Sequence, residues 1–132
     1  PRDPAGRARV RGLALIHAAD VHPLRVPRVR SHLQKEAGLD DAAVQRWLAR
    51  ALTTGLDAIE ADLVRSPHTG MFCHGDTPTL ADICLCSQLL AMMFFKVDAS
   101  AFPTARRIQA ACETLPAFAN AHPLKQPGAP AP

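Results

Sequence analysis

Tyrosine is absent from this 132-residue chain, aromatic residues of all kinds reach only 5%, and β-branched residues are sparse. Strands draw on those missing types, whereas the Ala and Leu that dominate here favour helices. A mainly β architecture is excluded and an all-α one is expected. No apolar run approaches the ~20 residues that a membrane-spanning helix needs. The four cysteines, Cys73, Cys84, Cys86 and Cys112, lack metal-site spacing. Cys84-Leu85-Cys86 lies in an apolar helical run where residues two apart point away from each other, and zinc sites use C-x₂₋₄-C pairs with further ligands behind them. Reduced, buried thiols and no bound metal are expected. Pro1-Arg2-Asp3-Pro4 shows neither an initiator Met nor a secretory leader, so the sequence reads as if it begins in mid-protein.

What remains is ordinary globular chemistry. Hydrophobic residues make up 48% and charged residues 20% of the chain, which excludes wholesale disorder. A domain of this size buries roughly 65–70% of its unfolded surface and needs no disulfide or metal to fold. One domain is expected over residues 1–122. A tail over 123–132, with four prolines and Gly128, is expected to be extended or disordered.

The net charge of +3 hides an asymmetry. Residues 1–35 hold eight basic residues against Asp3 and Asp20, whereas residues 36–132 hold seven basic and ten acidic ones. A basic N-terminal third attracts phosphate or carboxylate groups, or it is simply a solvated helix face. Arg7, Arg9 and Arg11 have no aromatics between them, so nucleic acid is not an expected partner.

Val10, Leu13, Ala14, His17, Ala18 and Val21 recur at helical spacing from about Ala5. Pro23 and Pro27 are expected to kink or break that helix before it resumes towards Gly38. His17, on the apolar stripe, reads as a core histidine with a satisfied ring. A second helix is predicted from Asp40 or Asp41 to about Arg65, on the stripe Val44, Trp47, Leu48, Ala51, Leu52, Leu56, Ile59 and Leu63. Gly55 in its middle costs roughly 1 kcal/mol relative to Ala, which implies close approach of another helix.

After a loop from Ser66 to Pro78, Thr79-Leu80-Ala81-Asp82 has the form of a capping box. Capping accounts for Asp82 without a catalytic role. The run from Ile83 to Phe95 is apolar on nearly every side apart from Ser87 and Gln88, and predicts a buried central helix. Met92, Met93, Phe94 and Phe95 are expected in the core, and Cys73-His74 in loop packing. Two shorter helices follow, from Pro103 to about Thr114 and from Pro116 to Ala121.

Taken together, these segments resemble a known family over about residues 5–122. Gly75-Asp76-Thr77-Pro78-Thr79-Leu80-Ala81-Asp82, the buried helix after it and the proline-broken basic first helix resemble the helical C-terminal domain of glutathione transferases. Asp20-Val21-His22-Pro23, with Lys96-Val97-Asp98 and Phe102-Pro103, is similar to the zeta class, the maleylacetoacetate and maleylpyruvate isomerases.

The resemblance implies a helical bundle around a capped central helix, forming the substrate-pocket side of a glutathione-dependent cis–trans isomerase of maleyl dicarboxylates. It implies glutathione as cofactor, held mainly by an N-terminal thioredoxin-like domain that also carries the catalytic serine and is absent from this chain. No catalytic residue is therefore expected here, and the isolated domain is expected to be inactive. His22 and Arg28 fall at cofactor-contacting positions, and Arg28, with its planar fork, also suits a carboxylate substrate. On the residues alone, His22 also reads as satisfying a carbonyl freed by the kink, and Arg28 as a surface charge. A homodimer in the cytoplasm is implied, with an acidic small molecule as substrate.

Two departures bear on that substrate. Val26 stands where the family commonly has Asn, and Phe94 where the isomerases often carry Arg, which implies weaker grip on a dianion. A transferase conjugating hydrophobic electrophiles, drawing on Met92 to Phe95, and a non-catalytic protein-interaction module remain as alternative functions.

Overall fold

The computed structural model describes residues 1–129, and among them the fold is all-α, as expected. Asp3 opens it: its Oδ1 accepts the Gly6 N–H at 2.6 Å, and Pro4 fits at the first helical position, where an N–H has no partner anyway. Helix α1 (Pro4–Leu15) then buries Val10, Leu13 and Ala14.

The path past Pro23 differs from the break expected there. Over Ile16–Val21 the ladder widens into a π-helical segment, and the His22 N–H reaches the His17 carbonyl five residues back. Proline has no N–H for the carbonyl four residues earlier. A ladder already reset to wider spacing absorbs that loss, and a single α turn, α2 (His22–Arg25), carries the chain through Pro23. The break expected at Pro27 does occur, at Val26, whose ψ of 152° is the extended conformation favoured before a proline. Helix α3 (Pro27–Lys35) restarts at once and buries none of its residues.

Helix α4 (Asp41–Arg65) is capped by Asp40, whose Oδ1 accepts the Ala43 N–H at 2.7 Å. Its stripe buries Val44, Leu48, Leu52, Leu56, Ile59 and Leu63. Trp47 stays at the rim, where its Nε1 donates to the Leu24 carbonyl at 3.3 Å. Helix α5 (Leu80–Phe94) packs against α1, the π-helical segment, α4 and the later helix α6 (Pro103–Glu113). Leu52, Leu56, Leu63, Leu85, Met92 and Ile108 are sealed at their meeting, each contributing about 1.5–3 kcal/mol by burial.

The capping box forms. The Asp82 carboxylate accepts the Thr79 N–H at 2.7 Å and the Thr79 hydroxyl at 2.8 Å, and the Thr79 oxygen accepts the Ala81 N–H at 3.2 Å. Capping is only part of the role of Asp82. Its second oxygen accepts the buried Cys73 N–H at 2.7 Å, tying the 66–79 loop to the start of α5.

The expectation that α5 is buried on every side needs correction. Ile83 is 58% exposed, and Leu80, Met93 and Phe94 stand about half in solvent. Met93 and Phe94 are therefore outside the core, in contrast to the fully buried Met92 and the partly buried Phe95. An apolar residue goes inside only where another element covers it, and no described element covers that face.

At its far end α5 stops with Lys96 at φ 55°, where the Val97 N–H reaches the Met92 carbonyl at 2.8 Å and the Lys96 N–H that of Met93 at 3.1 Å. Helix α6 lacks a capping side chain of its own. Glu60 of α4 supplies one, accepting the N–H groups of Thr104 and Ala105 at 2.9 and 2.8 Å. Helix α7 (Pro116–Asn120) and a 3₁₀ turn at Pro123–Lys125 complete the described chain. The tail expected over 123–132 thus begins in a folded turn, and its residues 130–132 lie outside the described residues.

Cys73 and Cys112 are buried free thiols, whereas Cys84 and Cys86 are half-buried. Among the described residues no His, Cys, Asp or Glu cluster can hold a metal ion, and no helix is long and apolar enough to cross a membrane.

Candidate functional site

The widened turn before Pro23 gathers the side chains of interest. His17 points inward and its Nδ1 lies 2.7 Å from Gln88 Oε1 on α5, while Gln88 Nε2 donates to the Leu52 carbonyl at 2.8 Å. The second bond fixes which end of the amide faces the imidazole. Gln88 Oε1 accepts only, so His17 Nδ1 carries the proton and donates. Burial holds the His17 imidazole below its ordinary value. The Gln88 bond works the other way, and the nearby Arg25 and His22 reinforce the drop. His17 is thus the satisfied core histidine anticipated from its place on the stripe. Gln88, one of two polar residues in an apolar run, is its partner.

His22 and Arg28, the positions singled out by the resemblance, lie on opposite sides of the Val26 break, at the start of α2 and the second residue of α3. Both are exposed. The His22 ring meets the His17 ring edge-on at 5.7 Å and 66° rather than a freed carbonyl. Nothing described brings His22 and Arg28 into mutual contact.

Sequence reasoning passed over two other arginines at this break. Arg25 and Arg30 are half-buried, and the Nε–H of each is shut from solvent without a hydrogen-bond partner among the described residues. The Arg30 guanidinium lies 5.4 Å from the centroid of the Phe95 ring, a cation–π contact. Burial alone holds Arg25 below its ordinary value. The ion pairs of the described residues are Arg9–Asp62 and His32–Glu36, so neither Arg25, Arg28 nor Arg30 has a carboxylate partner there. Arg25, Arg28 and Arg30 thus fall on both sides of the Val26 break, and none is paired with a carboxylate among the described residues. A sealed Nε without a partner distinguishes Arg25 and Arg30 from the equally half-buried but well-bonded Arg9, and their immediate sequence carries no sign of it.

Arg9, counted with the basic N-terminal face, is occupied elsewhere. It binds Asp62 at 2.9 Å, the Cys73 carbonyl at 2.6 Å and the Thr69 hydroxyl at 3.1 Å, and holds the 66–79 loop. In that loop His74 stacks on His68 at 5.6 Å, and the Cys73 thiol is packed away, its ionisation strongly opposed by burial and by Asp82.

No protein-family model matches the chain. A maleylpyruvate isomerase from a Ralstonia species is 42% identical over 127 residues, which is 96% of this chain and 60% of that protein. The structure of a maleylacetoacetate isomerase from Methylobacterium extorquens AM1, with bound malonate and glutathione, superimposes with a TM-score of 0.96 at 45% identity, covering 99% of this chain and 61% of the other. A holo maleylpyruvate isomerase, a bacterial glutathione S-transferase of the zeta class, gives 0.95 at 42% identity, with 98% and 61% covered. The chain spans about three-fifths of the length of the curated relatives it matches.

Proposed function

We propose, for a chain that belongs to the maleylacetoacetate and maleylpyruvate isomerase family of zeta-class glutathione transferases, that it forms the helical, substrate-pocket part of a glutathione-dependent cis–trans isomerase of maleyl dicarboxylates. The observation that carries this reading is identity to isomerases along nearly the whole chain, and it is supported by the carboxylate-free cationic break at Val26. Glutathione, when bound, supplies a thiol that adds reversibly to the cis double bond, so that rotation and elimination give the trans isomer. An anionic tripeptide and a dianionic substrate both fit a break with three cations and no acid among its described partners.

The roles of this chain are binding and orientation. His22, exposed at the start of α2, presents ring nitrogens to glutathione. Arg28, exposed at the second residue of α3, offers its planar fork to a carboxylate of the substrate or of glutathione. The buried His17–Gln88–Leu52 bonds hold the π-helical segment against α4 and α5 and so fix where α2 begins. None of these groups makes a thiolate, so the 132-residue chain alone is expected to leave maleylpyruvate unchanged. We also place the protein in the cytoplasm as a homodimer; sedimentation of the purified protein tests the dimer, and cell fractionation tests the location.

One observation favours a second reading. Phe94 is 49% exposed where the isomerases often carry Arg, a surface suited to a hydrophobic electrophile. The experiment is an ultraviolet assay of the complete gene product, with and without glutathione, on maleylpyruvate and on an aryl halide. Glutathione-dependent isomerisation is expected. Aryl conjugation alone selects the second reading, and inactivity on both leaves a non-catalytic interaction module.

A further inference from the structure

Residues five apart on an α-helix point about 140° away from each other. The π-helical segment changes that for His17 and His22. The His22 N–H bonds to the His17 carbonyl five residues back, and the widened turn brings the two residues onto one side of the helix. Their rings meet edge-on at 5.7 Å. One of them is buried and the other exposed.

Two imidazolium rings this close repel, so the pair accepts a first proton more readily than a second. What surrounds each ring decides where the first one goes. The Gln88 amide is anchored by its own bond to the Leu52 carbonyl, so it turns its oxygen to His17. That oxygen gives Nδ1–H a hydrogen-bond acceptor without a counter-charge. The charges that act on His17 come from Arg25 and His22, both on α2 and both positive when protonated. None acts on it from α1, α4 or α5, the other elements packed against the π-helical segment. The buried ring is therefore the poorer place for a cation, whereas water solvates one at His22.

We propose that Gln88 is a positioning residue for His22: by holding the buried His17 ring as its Nδ1–H tautomer beside a neutral amide, it leaves the single positive charge of the pair to the exposed His22 ring at the start of α2. Gln88 acts through His17. Its one-atom exchange for Glu, which sets a carboxylate against Nδ1, draws that charge inward. That a charged His22 serves an anionic ligand rests on the isomerase reading; which ring carries the charge rests on the geometry.

The test is a histidine titration by NMR of the 132-residue chain and of its H22Q and Q88E variants, at constant ionic strength and without ligand, following the ring nitrogens and C–H groups. In the parent chain neutral His17 shows a protonated Nδ1 and a bare Nε2, and as pH falls His22 takes up its proton before His17. H22Q alters an exposed ring and keeps the fold. His17 then takes up its proton at a pH higher by about half a unit, the scale of one charge across that gap in a water-like dielectric. In Q88E the order inverts, with His17 protonated first and His22 only at lower pH. The proposal is overturned if neutral His17 carries its proton on Nε2, if H22Q leaves the His17 titration in place, or if His22 still protonates first in folded Q88E. Should Q88E lose its amide dispersion and so prove unfolded, the parent tautomer and H22Q decide the matter. No ligand or turnover enters this measurement, so failure of the isomerase reading in the catalytic assay is seen separately.

Discussion

A side chain at Gly55 of α4 would overlap Val21 Cγ2, the last residue of the π-helical segment, and would also touch Gln88 Nε2. The missing methyl is what lets the widened turn, α4 and α5 meet closely enough for Gln88 to bridge His17 and the Leu52 carbonyl. Gly55→Ala gains about 1 kcal/mol of helix propensity but overpacks a sealed contact, at a cost of about 1–3 kcal/mol. A net loss in urea unfolding is expected. Combining it with Val21→Ala, which removes the clashing methyl, yields a favourable coupling energy. Additive losses in the double variant would show that the contact is not the cause.

Asp82 has a larger effect than its neighbour in the capping box. Thr79→Ala removes one cap, worth about 1 kcal/mol. Asp82→Ala also orphans the buried Cys73 N–H, so a loss of about 3 kcal/mol is expected. Faster amide exchange at Cys73 should accompany it. Equal losses for the two variants would refute the loop-tethering role.

Lys96 occupies the left-handed region that ends α5. A side chain there costs about 1 kcal/mol, partly offset by the unfolded-state freedom of glycine. Lys96→Gly should therefore raise the urea midpoint with an unchanged m-value. A lowered midpoint would mean that Lys96 makes a contact outweighing its backbone strain.

Acid should expose the buried histidine. His17 has its folded value lowered from 6.5, first by burial and then by Arg25 and His22. As pH falls through 6.5 the unfolded state takes up a proton that the folded state resists, so stability declines towards the lowered folded value and is fully retained above 6.5. His74 is displaced in the same direction, by burial and by Arg9, so the parent chain reports both. His17→Gln should flatten part of the slope of unfolding free energy against pH below 6.5. An unchanged slope would contradict a neutral His17 in the fold.

The thiols should be slow to react. Burial pushes Cys112 up to about 11, against the partial help of Cys86, and burial raises Cys84, Cys86 and Cys73 as well. Native protein at pH 8 should resist alkylation, with all four thiols modified only after unfolding. Rapid labelling of Cys86 in the native state would contradict that shielding.

By itself the sequence determined the elements and most of the core. Helical spacing marks α1 and α4, Pro103 and Pro116 sit where helices begin, and Thr79 to Asp82 close their cap as local chemistry requires. These are readable because each depends on residues three or four apart. The family is likewise written in short segments, around His22-Pro23 and before Asp82. Tertiary structure alone decided the remainder, because it depends on what lies opposite a residue and not beside it. Pro23 is threaded by a π-helical turn because Val21 can enter the space at Gly55. Met93 and Phe94 face solvent because no described element covers them, although their composition matches that of Met92. Arg25 and Arg28 are three residues apart and chemically identical. Only the packing around the Val26 break leaves one hydrated and the other half-buried without a partner.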